Sequence, residues 1–291
     1  MLIQGVIESI ITVNQMFAVL PFEGVDGTAI SYNREKVLGD AQALEVGGTI
    51  TANAPAEYDN VANGLTTLIA DADVNGLVEA TLSAENDQRS AAIASKAKTI
   101  GRLYQGMLIN GDGTGNSFAG LTELCADSQK VDTTANGAAL SFPILDSLIS
   151  LVVDKDGVVD YFAMNTRTIN QYFSLLRGLN GASINETVEL PDGKTRVPHY
   201  RNVPILRNDY ISTNVTKGTS TLTSSVFAGT LSDGTRKTGL SGLTARKAAG
   251  IQVIDVGEKE TTDDHRWRIK WYCGLALFSE KGLSLADGIT A

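Results

Sequence analysis

The chain has 291 residues, 43% hydrophobic and 20% charged, proportions that exclude a disordered polymer or a collagen-like repeat. Its 24 Lys and Arg against 33 Asp and Glu leave a formal charge of −9, which argues against sequence-reading of a nucleic acid, because phosphate affinity comes from clustered cations. Aromatics at 6% and 29 glycines favour a hairpin-rich mixture of helix and strand over a helical bundle.

The N-terminal stretch MLIQGVIESIITVN repeats Val6, Ile7, Ile10 and Ile11 at helical spacing, so a short amphipathic helix is predicted, stopped by Pro21. Glu8 inside the apolar run and the lack of a basic start argue against a secretory signal. GTAISYNRE (27–35) then alternates as a strand does, and LTTLIADADV (65–74) reads as a returning strand. Between them, residues 36–60 are small, polar and glycine-rich, with little to bury. Two strands joined by such a tip cannot stabilise themselves in water, and loops beyond about 15 residues without structure of their own usually serve a function. This excursion is expected to lie on its own domain or on a neighbouring subunit.

The clearest helix is predicted over 83–109. Ser83 is the candidate N-cap, Glu85 and Asp87 fall in the first turn, and Ile93, Ala97, Ile100, Tyr104 and Met107 form one apolar stripe. Lys96, Lys98 and Arg102 follow in the later half, where the helix dipole favours cations, and Asn110-Gly111 is a stop signal. GDGTGNSFAGL (111–121) reads as a turn that reverses the chain. A second helix is expected over 143–154 with Pro143 at its first position, a buried strand over 160–165, and a helix over 166–179. PDGK (191–194) is a turn, followed by strands in RVPHY, NVPILRND, SSVFAGTL and GIQVIDVGE. A last strand alternates most strongly: Trp267, Ile269, Trp271, Cys273, Leu275 and Leu277 on one face, Arg266, Arg268, Lys270, Tyr272, Gly274 and Ala276 on the other.

The chemistry-bearing residues form no reactive constellation. Cys125 and Cys273 have no zinc spacing and read as two buried thiols of a reducing cytoplasm. His265, in DDHRWR, reads as an exposed loop residue, and His199 has no metal-ligand pattern around it. Ser241 sits in GLSGL, which lacks the nucleophile-elbow spacing. GDGTG follows a helix rather than a strand, so it is neither a Rossmann nor a Walker loop, and Leu121 stands where a calcium loop needs a bidentate Glu. Asp71/Asp73 and Asp154/Asp156 read as solvated turn carboxylates. The cations of RWRIKW (266–271) are expected to point outward, pairing with acidic neighbours or with packed phosphate. The expectation is therefore no enzyme, with no catalytic, cofactor-binding or metal residue.

The order of elements carries more than any single residue. LPF…GTAISYNRE (20–35), LYQGMLINGDGTGNSFAGL (103–121) and DYFAMNTRTINQYF (160–173) resemble the major capsid proteins of tailed bacteriophages, whose Hong Kong phage-type fold is shared with encapsulins. The resemblance implies an α+β fold with an N-terminal arm (1–21), an extended β-hairpin loop (22–75), a peripheral domain with a long spine helix (76–119), an axial α/β domain (120–250), and a strand return to the peripheral domain (251–291). It further implies a virion capsid subunit, assembled in a host cytoplasm into pentamers and hexamers around double-stranded DNA without reading its sequence. Scaffold, portal and decoration proteins are the implied partners, and no membrane is. An encapsulin-like protein compartment is the nearest alternative. A soluble α/β enzyme or binding module is the distant one.

Overall fold

The computed structural model describes residues 15–52, 54–82, 88–154, 157–179, 187–189 and 196–290. The predicted helix around Val6 to Ile11, the caps Ser83, Glu85 and Asp87, the residue Asp156 and the turn 191–194 lie outside the described residues. Fifteen described strands occur in chain order: β1 (Phe22–Val25), β2 (Ala29–Val37), β3 (Glu57–Gly64), β4 (Thr66–Asn75), β5 (Lys130–Val131), β6 (Tyr161–Met164), β7 (Thr187–Glu189), β8 (Arg196–Tyr200), β9 (Val203–Arg207), β10 (Val215–Lys217), β11 (Ser220–Gly229), β12 (Leu240–Ala245), β13 (Gln252–Glu258), β14 (Asp264–Leu277) and β15 (Leu283–Ile289).

β14 is the axis of the first sheet. Along one edge β4 runs antiparallel, from Asn75 opposite Asp264 to Thr66 opposite Cys273. Along the other edge β13 and β12 lie end to end, with Gln252 opposite Lys270 and Leu240 opposite Leu277, and β1 extends β12 in parallel. The alternation read from sequence holds: Trp267, Ile269, Trp271, Cys273, Leu275 and Leu277 are all buried. They face the long helix Gln88–Asn110, which buries Ile93, Ala97, Ile100, Tyr104 and Leu108. The stripe ends on Leu108, four residues after Tyr104, and leaves Met107 half-buried. Tyr104 joins the two layers, its ring 4.6 Å from that of Trp271 and its hydroxyl donating to the Gly274 carbonyl at 3.4 Å. Each such buried aliphatic or aromatic side chain contributes roughly 1.5–3 kcal/mol.

The helix stops at Asn110 as expected, but Gly111 is required for a different reason than a left-handed cap. A Cβ there would sit 2.1 Å from the Phe118 carbonyl oxygen and 2.6 Å from that of Met107. The chain reverses tightly, with Asp112 bridged to Ala119 and the Gly120 amide donating to the Gly111 carbonyl at 2.9 Å. Within the turn, Asp112 accepts from the Thr114 amide at 3.1 Å and its hydroxyl at 2.8 Å. Gly113 and Gly115 take positive φ of 67° and 60°.

The second sheet runs β5-β15-β11-β6-β9-β8-β7, with β10 beside β11. β6 is buried at every position, which explains its continuous apolar sequence. The helix Phe142–Val153 packs Leu145, Leu148 and Val152 on the same sheet, over β15, β11 and β5, with Pro143 at the second rather than the first helical position. The helix Thr166–Gly178 starts where predicted, its Asn165 side chain accepting from the Arg167 amide at 2.8 Å.

Strands pair across the expected segment boundaries at three places. β1 and β4 belong to the first sheet, so the excursion narrows from 22–75 to the hairpin 29–64. β12, expected with the axial segment, joins the first sheet, because the fourteen residues of β14 are long enough to carry β13 and β12 in tandem. β15, within the segment 251–291 expected to return to the peripheral domain, joins the second sheet after the short helical turn Glu280–Gly282.

Candidate assembly surface

The hairpin of β2 and β3 is built in two halves with different physics. Its root has a core: Val25, Ile30, Leu243, Ala276 and Phe278 are buried together, with Tyr32 and Leu65 packed on them. That cluster explains why the second face of β14 turns from basic to small after Tyr272: Gly274 and Ala276 lie under the hairpin root. The Tyr32 hydroxyl donates to the Leu277 carbonyl at 2.8 Å and accepts from the Asn63 amide at 3.2 Å. Burial raises the Tyr32 phenol above its usual range, so it stays a neutral donor. Arg34 forms an ion pair with Glu280, the outermost of these anchors to the body.

Toward the tip the hairpin is held within itself, by the ladder that runs to Val37 opposite Glu57 and by its own side chains. Asn60 donates to Asn33 at 2.8 Å, and Lys36 pairs with Asp59 at 3.5 Å. Past the strands, Asp40 accepts from the Ala54 amide at 2.6 Å. The Gln42 carbonyl oxygen accepts from the amides of Thr51 and Ala52 at 2.8 and 2.9 Å, while its amide group donates to the Thr49 carbonyl at 3.2 Å. Two polar side chains thus do for the tip what ladder hydrogen bonds do for a sheet. Among the described residues the apolar side chains of this segment stand exposed, among them Leu38 at 76% and Ile50 at 73%. An ordered arm with exposed apolar side chains and no core is a surface built for a partner.

The residues singled out from sequence fall elsewhere, in structural roles. Asp71 and Asp73 lie on β4, not in a turn, and pair with Arg268 and Arg266 of β14 in two-point ion pairs. The arginine hydrogen bonds hold both carboxyls below the usual carboxylate range. The outward cations of RWRIKW are thus matched by acidic neighbours in register, and Lys270 lies over the Tyr272 ring. His265 is half-buried on β14 rather than in an exposed loop, 2.6 Å from an Asp255 oxygen and stacked on Trp267. Ser241 is buried and donates to the Pro21 carbonyl at 3.2 Å. Asp154 closes the helix Phe142–Val153. The thiols of Cys125 and Cys273 are buried and unpaired with each other, and burial pushes the Cys125 thiol up to about 12 and that of Cys273 further. Sequence reasoning missed Asp40 and Gln42, whose turn-like neighbourhood was the available signal, and the pair Arg34 and Glu280, which no local pattern connects.

No protein-family model matches the chain, and no curated protein matches it. Solved structures do match. The holo-SrpI encapsulin complex of Synechococcus elongatus aligns with a TM-score of 0.74 at 17% identity, covering 95% of this chain and 87% of that one. The capsid of a native GTA particle aligns at 0.65 and 14% identity, covering 95% and 90%. The capsid of the myovirus phage XM1 aligns at 0.63 and 16% identity, covering 93% and 89%. These proteins form closed shells, and their common architecture accounts for nearly the whole chain. The fold is the Hong Kong phage-type capsid fold, as the sequence resemblance implied. Among the described residues, no helix is long and apolar enough to cross a membrane.

Proposed function

We propose that this chain is a phage major capsid protein, a structural subunit that closes into pentamers and hexamers of an icosahedral head around double-stranded DNA. The observation that carries the reading is the hairpin arm: anchored at Tyr32 and Arg34, ordered by Asp40 and Gln42, and carrying apolar side chains that the other described residues leave exposed. Draped over an adjacent copy, it makes a head-to-tail contact. Such contacts close into rings, and the rings tile a shell. Each contact is weak, but repetition over a shell makes the assembly kinetically durable.

In this reading residues 1–21 are the arm and 29–64 the overlapping loop. The helix Gln88–Asn110 with the β14 sheet is the peripheral domain, and the second sheet with its two helices is the axial domain. The subunit acts as a wall rather than as a catalyst. Deleting residues 38–56 tests this: the product should keep the folded core, read by circular dichroism and a cooperative melt, and form no shells in negative stain. Intact shells from the deletion would overturn the loop assignment.

An encapsulin-like compartment is the second reading, favoured by the 0.74 TM-score to the SrpI encapsulin. Purified particles decide between the two: nuclease-protected double-stranded DNA supports the head, and co-purified protein cargo without DNA supports the compartment.

A further inference from the structure

The long helix Gln88–Asn110 carries Arg89, Lys96, Lys98 and Arg102 and not one Asp or Glu, in a chain whose net charge is −9. Dipole preference explains cations only in the last turn of a helix, and that turn holds none. Arg89 is engaged over the Trp267 ring, 4.7 Å from its centroid. Lys96, Lys98 and Arg102 are exposed, on the side of the helix away from the stripe Ile93, Ala97, Ile100 and Tyr104. Among the described residues none of the three has an ion-pair partner.

The contrast with the opposite layer is sharp. On β14, Arg266 and Arg268 are each neutralised by an aspartate directly across the strand pair, Asp73 and Asp71. On the helix no described residue plays that part. Three uncompensated cations within seven residues, in an otherwise acidic protein, ask for an external polyanion. Lys98 and Arg102 are neighbours at i and i+4, and Lys96 flanks them at the other edge of the exposed arc, because residues two apart lie about 160° from each other around a helix. At about 1.5 Å rise per residue the three span roughly 9 Å of helix axis. Duplex DNA offers one phosphate charge per about 1.7 Å, so cations spread along and around this length of helix meet separate phosphates, whatever the sequence.

We propose that the exposed face of this helix, Lys96, Lys98 and Arg102, is a sequence-independent contact for the phosphate backbone of duplex DNA. The inference rests on the capsid reading and deepens it: each subunit of net charge −9 would offer this basic helix face, so DNA is touched at repeated points rather than trapped. A hydrogen-bond reader of bases is not implied, since all three side chains act as point or fork charges toward phosphate.

The test uses the full-length protein as free subunits, below the concentration at which particles form, with a fluorescent 30-base-pair duplex. Anisotropy titrations from 50 to 200 mM salt compare the wild type with Lys96→Gln/Lys98→Gln/Arg102→Gln and with a charge-matched control, Lys237→Gln/Lys247→Gln/Lys281→Gln. Circular dichroism confirms that each is folded. The log–log salt slope of the helix variant should be shallower than wild type by about 2 to 3, with affinity at 50 mM salt down about tenfold or more. The control should bind as wild type does.

Equal losses in both variants, or no loss in the helix variant, would overturn the proposal. So would a helix variant that binds DNA normally but no longer forms particles, because the stripe would then be a contact between copies. Particle formation by the wild type is read separately in negative stain, so failure of the DNA contact and failure of the capsid reading give different results.

Discussion

Arg268 on β14 and Asp71 on β4 stand directly opposite each other in antiparallel register and share a two-point ion pair, Nε to Oδ1 at 2.8 Å and Nη2 to Oδ2 at 3.0 Å. One rung along, Arg266 does the same with Asp73, at 2.8 and 3.1 Å, and Lys259 adds a contact to Asp73 at 2.6 Å. This ladder ties the edge strand β4 to the central strand on the face that the helix does not cover.

The ladder makes stability acid-sensitive. Both carboxyls are held below their usual range by the arginines, so their contribution is present above the unfolded value of about 3.9 and lost as pH falls toward the folded ones. An Asp71→Asn/Asp73→Asn variant should melt below wild type at pH 7, and the gap should narrow steadily as pH falls from about 4 toward 2. Thermal melts across that range check it. A gap that stays constant would mean the ladder carries no pH-linked stability.

Ile100 is 2% exposed in the middle of the helix stripe. Ile100→Ala should cost about 2–5 kcal/mol in a denaturant titration. Ile100→Asp would bury an unpaired charge and should yield insoluble protein. Lys98→Ala, on the exposed face, should change stability by no more than about 0.5 kcal/mol. A soluble, assembling Ile100→Asp protein would mean that the stripe does not face the sheet.

The stripe was legible because a long helix repeats its signal, and β14 was legible because strict alternation marks one buried face. What the sequence hid depends on distance. Gly274 and Ala276 continue the solvent face of β14 by period, yet they are buried, because a hairpin more than 200 residues upstream in sequence folds over them. The same separation concealed the tie of Arg34 to Glu280. Strand pairing was hidden where one strand served two partners: nothing local in β12 shows that it lies end to end with β13 on β14. Asp71 and Asp73 read as turn residues because aspartate disfavours strands; facing arginines in register reverse that preference.

Gly111 was recognised as a helix stop, but its reason is steric. Gly111→Ala would drive a Cβ to 2.1 Å from the Phe118 carbonyl oxygen. The variant should lose several kcal/mol or fail to fold, whereas Gly115→Ala, with open space around it and only a positive φ of 60°, should cost about 1 kcal/mol. Urea titrations separate the two. Equal effects would mean that the turn relaxes freely.

Cys125 and Cys273 are buried, and burial raises both thiols, that of Cys125 to about 12. Neither should react with a thiol reagent at pH 8 in the native protein, and two should titrate after unfolding. A native thiol that reacts within minutes would place local opening at one of these sites.

The capsid reading stands on the arm 29–64 finding its cover on another copy. Electron micrographs of the purified full-length protein, with scattering on the same sample, test it most directly. Closed shells of uniform diameter are expected. A monodisperse monomer with a radius of gyration near 19 Å, about the value for a compact chain of this length, would contradict it.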